Sequence, residues 1–174
     1  IGHTGARGIK AGAVVNLAQA EEAVRQAVDL AERMAGLHLE SVAVSVSAGR
    51  PASELLSATI NVAGSTVSDA DIARVLGSGS RHSVRDGRAV LHSLPIGYAV
   101  DAATGIREPR GMLGHQLGVD MHMVTADVAT VQNLMLTVER CHLSVEAMVS
   151  SPYVAGLAAL ADDEADLGVA TRFW

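Results

Sequence analysis

The most constraining feature of this sequence is a pair of apolar, β-leaning runs separated by a polar connection. The runs are Ala89–Val100 and Leu117–Thr125, and the connection is rich in Gly, Pro and charges of both signs. Apolar β-branched residues favour strands, whereas Gly, Pro and Asp favour turns. The pattern predicts two strands joined by a long, ordered surface loop, in which the glycines at 105, 111 and 114 shape the connection.

Composition excludes several classes of function. The chain has 174 residues, of which 49 % are hydrophobic, enough for one domain with a core or for two small subdomains. The net charge is -6 and the basic residues are scattered, which argues against a nucleic-acid partner. No apolar run approaches the roughly 20 residues that span a bilayer. The only cysteine, Cys141, excludes disulfides within the chain. The simplest interpretation is a cytoplasmic globular chain.

The strongest helix prediction covers Leu17–Ala35, where apolar residues recur at helical spacing. Asn16 is suited to cap the start of this helix, and Gly36 is suited to the left-handed residue that ends it. Acidic residues precede basic ones by four positions on the face predicted to be solvent-exposed: Glu21–Arg25 and Asp29–Arg33. These charges need no functional interpretation.

The next elements form a separate group. Val42–Ser47 reads as a strand, and the break at Gly49–Pro51 marks a subdomain boundary. A second strand follows at Glu54–Val62. Ser68, with an aspartate three residues on, resembles the capping box of a helix that ends near Gly77, where a run of Gly and Ser begins.

After residue 126 the sequence again predicts helices and strands that belong with the elements before the boundary at Gly49–Pro51. A second amphipathic helix has Val128, Val131, Leu134, Met135, Val138 and Cys141 on its apolar face. A strand at Val145–Val149, a short helix at Tyr153–Ala161 and the beginning of a strand at Leu167–Ala170 follow. The fold class is therefore α/β (α+β), with a βαβ-like frame that encloses an inserted strand–helix–strand–strand unit.

The residues by themselves predict no catalytic, cofactor or metal site. The glycines near the start lack the Lys-Ser/Thr of a phosphate loop, and no G-x-S-x-G nucleophile motif occurs. Among the histidines, His115 and His122 are the nearest pair in the sequence, and they have no carboxylate or thiol arranged with them as metal ligands. Cys141 is interpreted as a small core residue rather than a nucleophile.

The charged residues of the central loop leave two interpretations open. Asp101, Arg107, Glu108 and Arg110 lie on the segment 101–114, and exposed charged loops often carry binding. The alternative is a solvated loop whose charges neutralise one another.

A family resemblance rests on the same stretch. The run HSLPIGYAVDAATGIREPRGMLGHQLGVDMHMVT closely resembles the FtsA family of bacterial cell-division proteins, within the actin-like ATPase superfamily. The match continues in order through RGIKAGAVVNL, AVDLAERMAG, SVAVSVSAGR, VSDADIARVL, VQNLMLTVERCHL and ADDEADLGVA. This ordered set is highly specific, and it covers essentially the whole chain as far as Ala170.

The resemblance implies a division of the chain into subdomains. Residues 49–126 correspond to the inserted SHS2-type subdomain 1C, with a strand–helix–strand–strand order. Residues 1–48 and 127–174 correspond to parts of the actin-like subdomain 1A. The family's first phosphate loop would precede Ile1, and the aspartate of its second would fall at Phe173, so the chain is expected to be truncated before that loop.

The resemblance also implies a function. The full-length protein is expected to bind ATP and Mg, to assemble into actin-like filaments, and to tether the FtsZ ring to the cytoplasmic face of the inner membrane. The present chain is expected to be no enzyme and to hold no cofactor. The FtsZ-docking subdomain and the membrane-targeting amphipathic helix would lie beyond Trp174.

Within this chain, the resemblance implies a module for self-association and for contact with later division proteins. The candidate contact surface is the loop 101–114 together with the exposed edges of its two flanking strands. Arg107, Glu108 and Arg110 are the candidate partner-binding residues. Two alternatives remain open: a nucleotide-binding ATPase or kinase-like enzyme of the same superfamily, and a pilus-assembly relative.

Overall fold

The computed structural model describes residues 1–62, 64, 66–81, 85–161 and 164, with only the backbone of 80 and 81. It divides into two compact units, which we call the frame unit (Ile1–Pro51 with Ala126–Trp174) and the inserted unit (Ala52–Thr125). The strand predicted at Leu167–Ala170 and the phosphate-loop position at Phe173 lie outside the described residues.

The secondary structure alternates between strands and helices along the chain. In chain order the elements are β1 (Ile9–Lys10), β2 (Ala13–Val14), α1 (Leu17–Ala35), β3 (Ser41–Val46), β4 (Ala52–Asn61), α2 (Asp69–Arg81), β5 (Arg88–Val100), β6 (Ala103–Ile106), β7 (Gln116–Asp127), α3 (Val128–Glu139), β8 (Ser144–Ser150) and α4 (Ser151–Ala159). This mixture confirms the predicted α/β class.

Helix α1 has the predicted bounds and the predicted caps. The side chain of Asn16 accepts a hydrogen bond from the backbone N–H of Gln19 at 3.1 Å. Gly36 has φ 67° and donates its N–H to the carbonyl of Glu32, which closes the helix. Asn16 therefore begins the helix and Gly36 ends it, as the sequence predicted.

The prediction that Glu21 lies on a solvated face is wrong. Its residue surface is only 7 % exposed, and its carboxylate lies 2.5 Å from Arg140 Nε and 3.4 Å from Arg25 Nη2. The contact with Arg140 is an ion pair that does not meet hydrogen-bond geometry. The cause is tertiary, because α1 packs against α3 and Arg140 follows α3 directly.

The frame unit contains the predicted βαβ-like arrangement. Strands β3 and β8 pair in parallel, from Ser41 opposite Ser144 to Val46 opposite Ser150. Helix α3 precedes β8 and packs against both α1 and β8. Asp127 caps α3 by accepting the N–H of Thr130 at 3.0 Å.

The inserted unit is a four-stranded sheet covered by one helix. Its strand order is β4-β7-β5-β6, and β4 and β7 pair antiparallel. Alternate residues of β7 are buried, as expected for a sheet with one covered face. The core consists of Val62, Val67, Val75, Val100, Leu117, Val119 and Met121, with Ile72 and Leu76 of α2 packed against it.

The inserted unit has one strand more than predicted. The chain turns at Asp101, which has φ 50°, and returns as β6 antiparallel to the end of β5. The sequence Ala-Thr-Gly-Ile of β6 carries too little apolar character to predict a strand. What was expected to be loop from 101 onward therefore begins with a hairpin.

Helix α2 is longer than predicted. The reciprocal bonds of the capping box are present, with Ser68 N–H to Asp71 Oδ2 at 3.0 Å and Asp71 N–H to Ser68 Oγ at 3.3 Å. The helix continues beyond Gly77 to Arg81, however. Gly79 is pressed against the sheet, where an added Cβ would lie 2.3 Å from Met121 Sδ. Gly79 therefore allows the helix to pack closely on the sheet and does not end the helix.

Candidate interaction site

The segment 101–114, which contains β6 and the loop after it, is closed at its base by Asp101. Asp101 Oδ1 accepts the backbone N–H groups of His115 at 2.9 Å and Gln116 at 2.8 Å. The Asp101 N–H donates to the carbonyl of Gln116 at 3.0 Å. The hydrogen bonds from Gln116 and His115 lower the pKa of the Asp101 carboxyl, because they stabilise its charged form. The two ends of the loop are thereby held together.

The segment 107–114, called here the clamped loop, is also bonded to the chain that precedes α2. Thr66 and Leu113 form an isolated antiparallel bridge. Val67 donates its N–H to Met112 and accepts the N–H of Gly111, both at 2.9 Å. Pro109 is fully buried. These contacts make the clamped loop an ordered part of the inserted unit.

Arg110 and Glu108 attach the clamped loop to the start of α2. Arg110 Nε lies 2.7 Å from Asp69 Oδ1, and Arg110 Nη1 lies 3.4 Å from Glu108 Oε2. The backbone N–H of Arg110 also donates to Glu108 Oε1 at 3.0 Å. The hydrogen bond and charge of Asp69 raise the pKa of Arg110. Both side chains are therefore engaged within the molecule.

Arg107 differs from the other two predicted residues. It is exposed, and within the described part of the chain its side chain has no hydrogen bond or ion pair. Leu113, in the same clamped loop, is 76 % exposed. Glu108 and Arg110 thus contact each other and stabilise the clamped loop. Arg107 is exposed to solvent on the ordered backbone of the same loop.

The strand edges do not lie where the sequence interpretation placed them. β5 and β7, the two flanking strands, are the central strands of the sheet, and the outer positions belong to β4 and β6. Sequence reasoning missed this because strand order depends on long-range pairing, which local patterns do not encode. An unbroken register pairs β4 with β7 from Ala52 opposite Thr125 to Asn61 opposite Gln116.

The described residues bring no metal-binding cluster together. His115 and His122 are seven positions apart along one extended segment, roughly 23 Å, too far to share a metal ion. Among residues 1–62, 64, 66–81, 85–161 and 164, no group of three or more His, Cys, Asp or Glu could hold a metal. No helix of that part is long and apolar enough to cross a membrane.

Cys141 is held in a way that suits a structural thiol. Its Sγ donates to the carbonyl of Thr137 at 3.2 Å and lies 3.5 Å from the carbonyl of Glu21. Burial raises the pKa of the Cys141 thiol, so the reactive thiolate is disfavoured near neutral pH.

Comparison with known proteins identifies the family. The family described as "SHS2 domain inserted in FTSA" matches residues 48–125. The cell division protein FtsA of Agrobacterium fabrum is 51 % identical over 170 residues, which cover 98 % of this chain and 38 % of the relative. FtsA of Pseudomonas aeruginosa is 33 % identical over 97 % of this chain and 40 % of the relative, and FtsA of Escherichia coli is 29 % identical over the same shares.

The chain belongs to the FtsA family. This confirms the resemblance predicted from the sequence. The chain spans about two fifths of the length of the FtsA relatives it matches. The FtsA-specific SHS2 match at 48–125 contains the whole inserted unit, Ala52–Thr125, including the clamped loop and β4. The clamped loop and β4 therefore lie in the part of the chain that the matching family model covers.

Proposed function

We propose that the chain acts in bacterial cell division as part of an FtsA-type protein, which assembles the FtsZ ring and tethers it to the cytoplasmic face of the inner membrane. The observation that carries this proposal is the 51 % identity with a cell division protein over 98 % of the chain, through both units. In this proposal, residues 49–126 form subdomain 1C, and residues 1–48 and 127–174 form parts of subdomain 1A.

The proposed role of the inserted unit is protein–protein interaction. It would contribute to self-association into actin-like filaments and bind later division proteins. The clamped loop supports this role, because its bonds to Val67 and Asp69 fix the backbone before a partner arrives. A preordered surface loses less conformational entropy on binding than a mobile loop does. Arg107 and Leu113 are among the exposed side chains that it presents.

A segment exchange tests the proposal in cells. The region of Agrobacterium fabrum FtsA that aligns with this chain is replaced by the chain, and cell length is measured after depletion of the native protein. We expect the chimera to restore division. A matched chimera carries a Gly/Ser linker in place of Ala52–Thr125. This replacement is feasible because the insert's flanks meet, with Asp127 N–H 2.7 Å from the carbonyl of Gly49.

The outcomes of the exchange are distinct. If the full chimera is present at native level and cells still filament, the cell-division assignment of this chain is wrong. If the linker chimera divides as well as the full one, the inserted unit is not the interaction module.

The second candidate is a nucleotide-binding enzyme of the same superfamily. We propose that this polypeptide alone binds no ATP, because its sequence contains neither a glycine-rich segment followed by Lys-Ser/Thr nor the Asp-Ile-Gly-Gly-Gly-Thr phosphate loop that the resemblance implies for this superfamily. Calorimetry with ATP and Mg on the 174-residue chain is expected to show no heat of binding. Micromolar affinity in that titration would favour the enzyme reading.

A further inference from the structure

The outer edge of β4 is a row of backbone groups that, from Ala52 to Ile60, receive no hydrogen bond from the described part of the chain. β4 pairs with β7 along all of Ala52–Asn61, so alternate residues direct their N–H and C=O groups away from β7. Within the described part of the chain, no hydrogen bond reaches the backbone of Ala52–Ile60 from that side. Such an edge is a template for another strand.

The opposite edge of the sheet lacks this character. β6 has only four residues, its pairing with β5 shifts register, and Gly105 within it has φ 72°. Short, irregular edges resist strand addition. β4 has ten residues, no proline, no lysine and no register shift. Its one charged residue, Glu54, is ion-paired with Arg85 at 3.1 Å.

A groove of about 280 Å³ lies between α2 and the middle of β4. It is lined by Leu56, Ser57, Ala58, Ser78 and Gly79, the last two on α2. Gly79 lies close to the sheet, and the small residues of this part of α2 keep the helix from filling the space. Leu55, on the exposed face of β4, is 73 % exposed.

We propose that β4 pairs antiparallel with β4 of a second copy of this chain, centred near Ser57. This inference rests on the self-association part of the proposed function and names the surface through which two copies associate. From Leu55 to Asn61 the strand carries no charge, so an identical strand meets no like charge there. Parallel pairing would place the two Glu54 carboxylates side by side.

Antiparallel pairing is favoured by the charged residues near the two ends of β4. It brings Glu54 of one copy towards the end that carries Asn61 in the other. At that end Arg74 Nη2 donates to the Asn61 carbonyl at 2.9 Å. The Glu54–Arg85 pair of one copy thus comes near the Arg74–Asp71 pair of the other, twice by symmetry, so that no uncompensated like charges meet, and the backbone edges supply the hydrogen bonds.

Edge-specific substitutions in the 174-residue chain test the proposal. Thr59→Lys places a cation on the exposed side of β4, and Thr104→Lys makes the same change on β6. Analytical ultracentrifugation over a concentration series is expected to show a dimer for the wild type. Thr59→Lys should raise the dimer Kd by about tenfold or more, whereas Thr104→Lys should leave it unchanged. Far-UV circular dichroism checks that both variants are folded.

Cross-linking gives a second readout that does not depend on the lysine variants. In a Cys141→Ser background, Ser57→Cys should give disulfide-linked dimers on mild oxidation, and Thr104→Cys should not. A wild type that stays monomeric overturns both the β4 edge and the self-association part of the proposed function. A wild-type dimer that Thr59→Lys leaves intact and Ser57→Cys fails to cross-link overturns the β4 edge alone.

Discussion

Glu21 and Asp29 lie on the same helix, each with an arginine four residues later, yet their surroundings differ. Asp29 and Arg33 form an exposed pair at 2.6 Å, with side chains 55 % and 73 % exposed. Glu21 is buried and contacts both Arg25 and Arg140. An exposed pair contributes little to stability, whereas a buried carboxylate depends on its partners. At the scale of the residue, burial decides what a charge does.

Glu21→Gln is expected to lower the free energy of unfolding by about 1–2 kcal/mol, because both arginines lose their buried anion. We place the effect below that of a fully buried pair, since Arg25 and Arg140 are about half exposed. Asp29→Asn is the matched control and should change stability by less than about 0.5 kcal/mol. Urea unfolding of both variants measures the difference, and equal effects would contradict the burial argument.

Asp101 makes the stability of the inserted unit depend on acid. Because its pKa is lowered in the folded state, its contribution is complete above the pKa of the unfolded chain and is lost as pH falls through the folded pKa. We therefore expect the urea concentration at the midpoint of unfolding to decrease as the pH is lowered below about 4. Asp101→Asn keeps an oxygen for the N–H groups of His115 and Gln116, so its midpoint should depend less on pH in that range. An unchanged pH profile would contradict this assignment.

Arg107 and Arg110 are expected to respond differently to charge reversal. Arg107→Glu should weaken self-association or binding to division proteins while leaving the thermal midpoint unchanged, because its side chain is exposed and without an ion pair in the described part. Arg110→Glu should lower the midpoint as well, since it sets a carboxylate beside Asp69. If Arg107→Glu leaves both kinds of association unchanged, Arg107 is not a partner-binding residue.

At the scale of the element, α2 shows that one residue type has opposite roles on two faces of a helix. Gly77 has open space where a Cβ would stand, whereas a Cβ at Gly79 would meet Met121 Sδ at 2.3 Å and Ala58 Cβ at 3.6 Å. The sequence predicted that glycines would end the helix. Their propensity cost was overridden because close packing on the sheet buries Val75 and its neighbours.

The two glycines provide a paired test. Gly77→Ala should raise the free energy of unfolding by about 0.5–1 kcal/mol, because alanine has the higher helix propensity and meets no atom. Gly79→Ala should lower it by about 1–3 kcal/mol, because Met121 or the helix must shift. Thermal or urea unfolding distinguishes the two. Changes of the same sign in both variants would contradict the packing explanation.

At the scale of the whole molecule, the inserted unit leaves and re-enters the frame unit at one point. Gly49 and Asp127 are joined by a backbone hydrogen bond of 2.7 Å. The inserted unit has its own core, centred on Val75, Leu117 and Met121. A unit with its own core and adjacent ends has the features of an independent folding domain.

A polypeptide of residues 48–126 is therefore expected to fold alone, with a stability of about 3–5 kcal/mol, typical of domains near this size. Its amide NMR spectrum should overlay that of the same residues in the full chain. Leu117→Ala, in the centre of the core, should cost about 2–5 kcal/mol and abolish most of this stability. A 48–126 polypeptide without a cooperative urea transition would show that the unit depends on the frame.

The local features of this protein were determined by its sequence. Spacing and caps predicted α1 with the bounds that the structure has, and the capping box at Ser68 began α2 where expected. The strands β3, β4, β5, β7 and β8 also followed from local pattern. These signals succeed because they depend on neighbours within a few positions along the chain. The family resemblance, likewise, was visible in ordered motifs.

Only the tertiary structure decided the rest. It placed β5 and β7 at the centre of the sheet, left β4 at an edge, and made a strand of β6. Glu21 is buried, and α2 extends beyond Gly77. Arg110 is engaged by Asp69, whereas Arg107 is exposed. The outcomes for Glu21, Arg110 and the strand order depend on contacts between residues far apart in sequence, which a local pattern could not encode. β6 is a local hairpin with β5, but its sequence has too little apolar character to predict a strand.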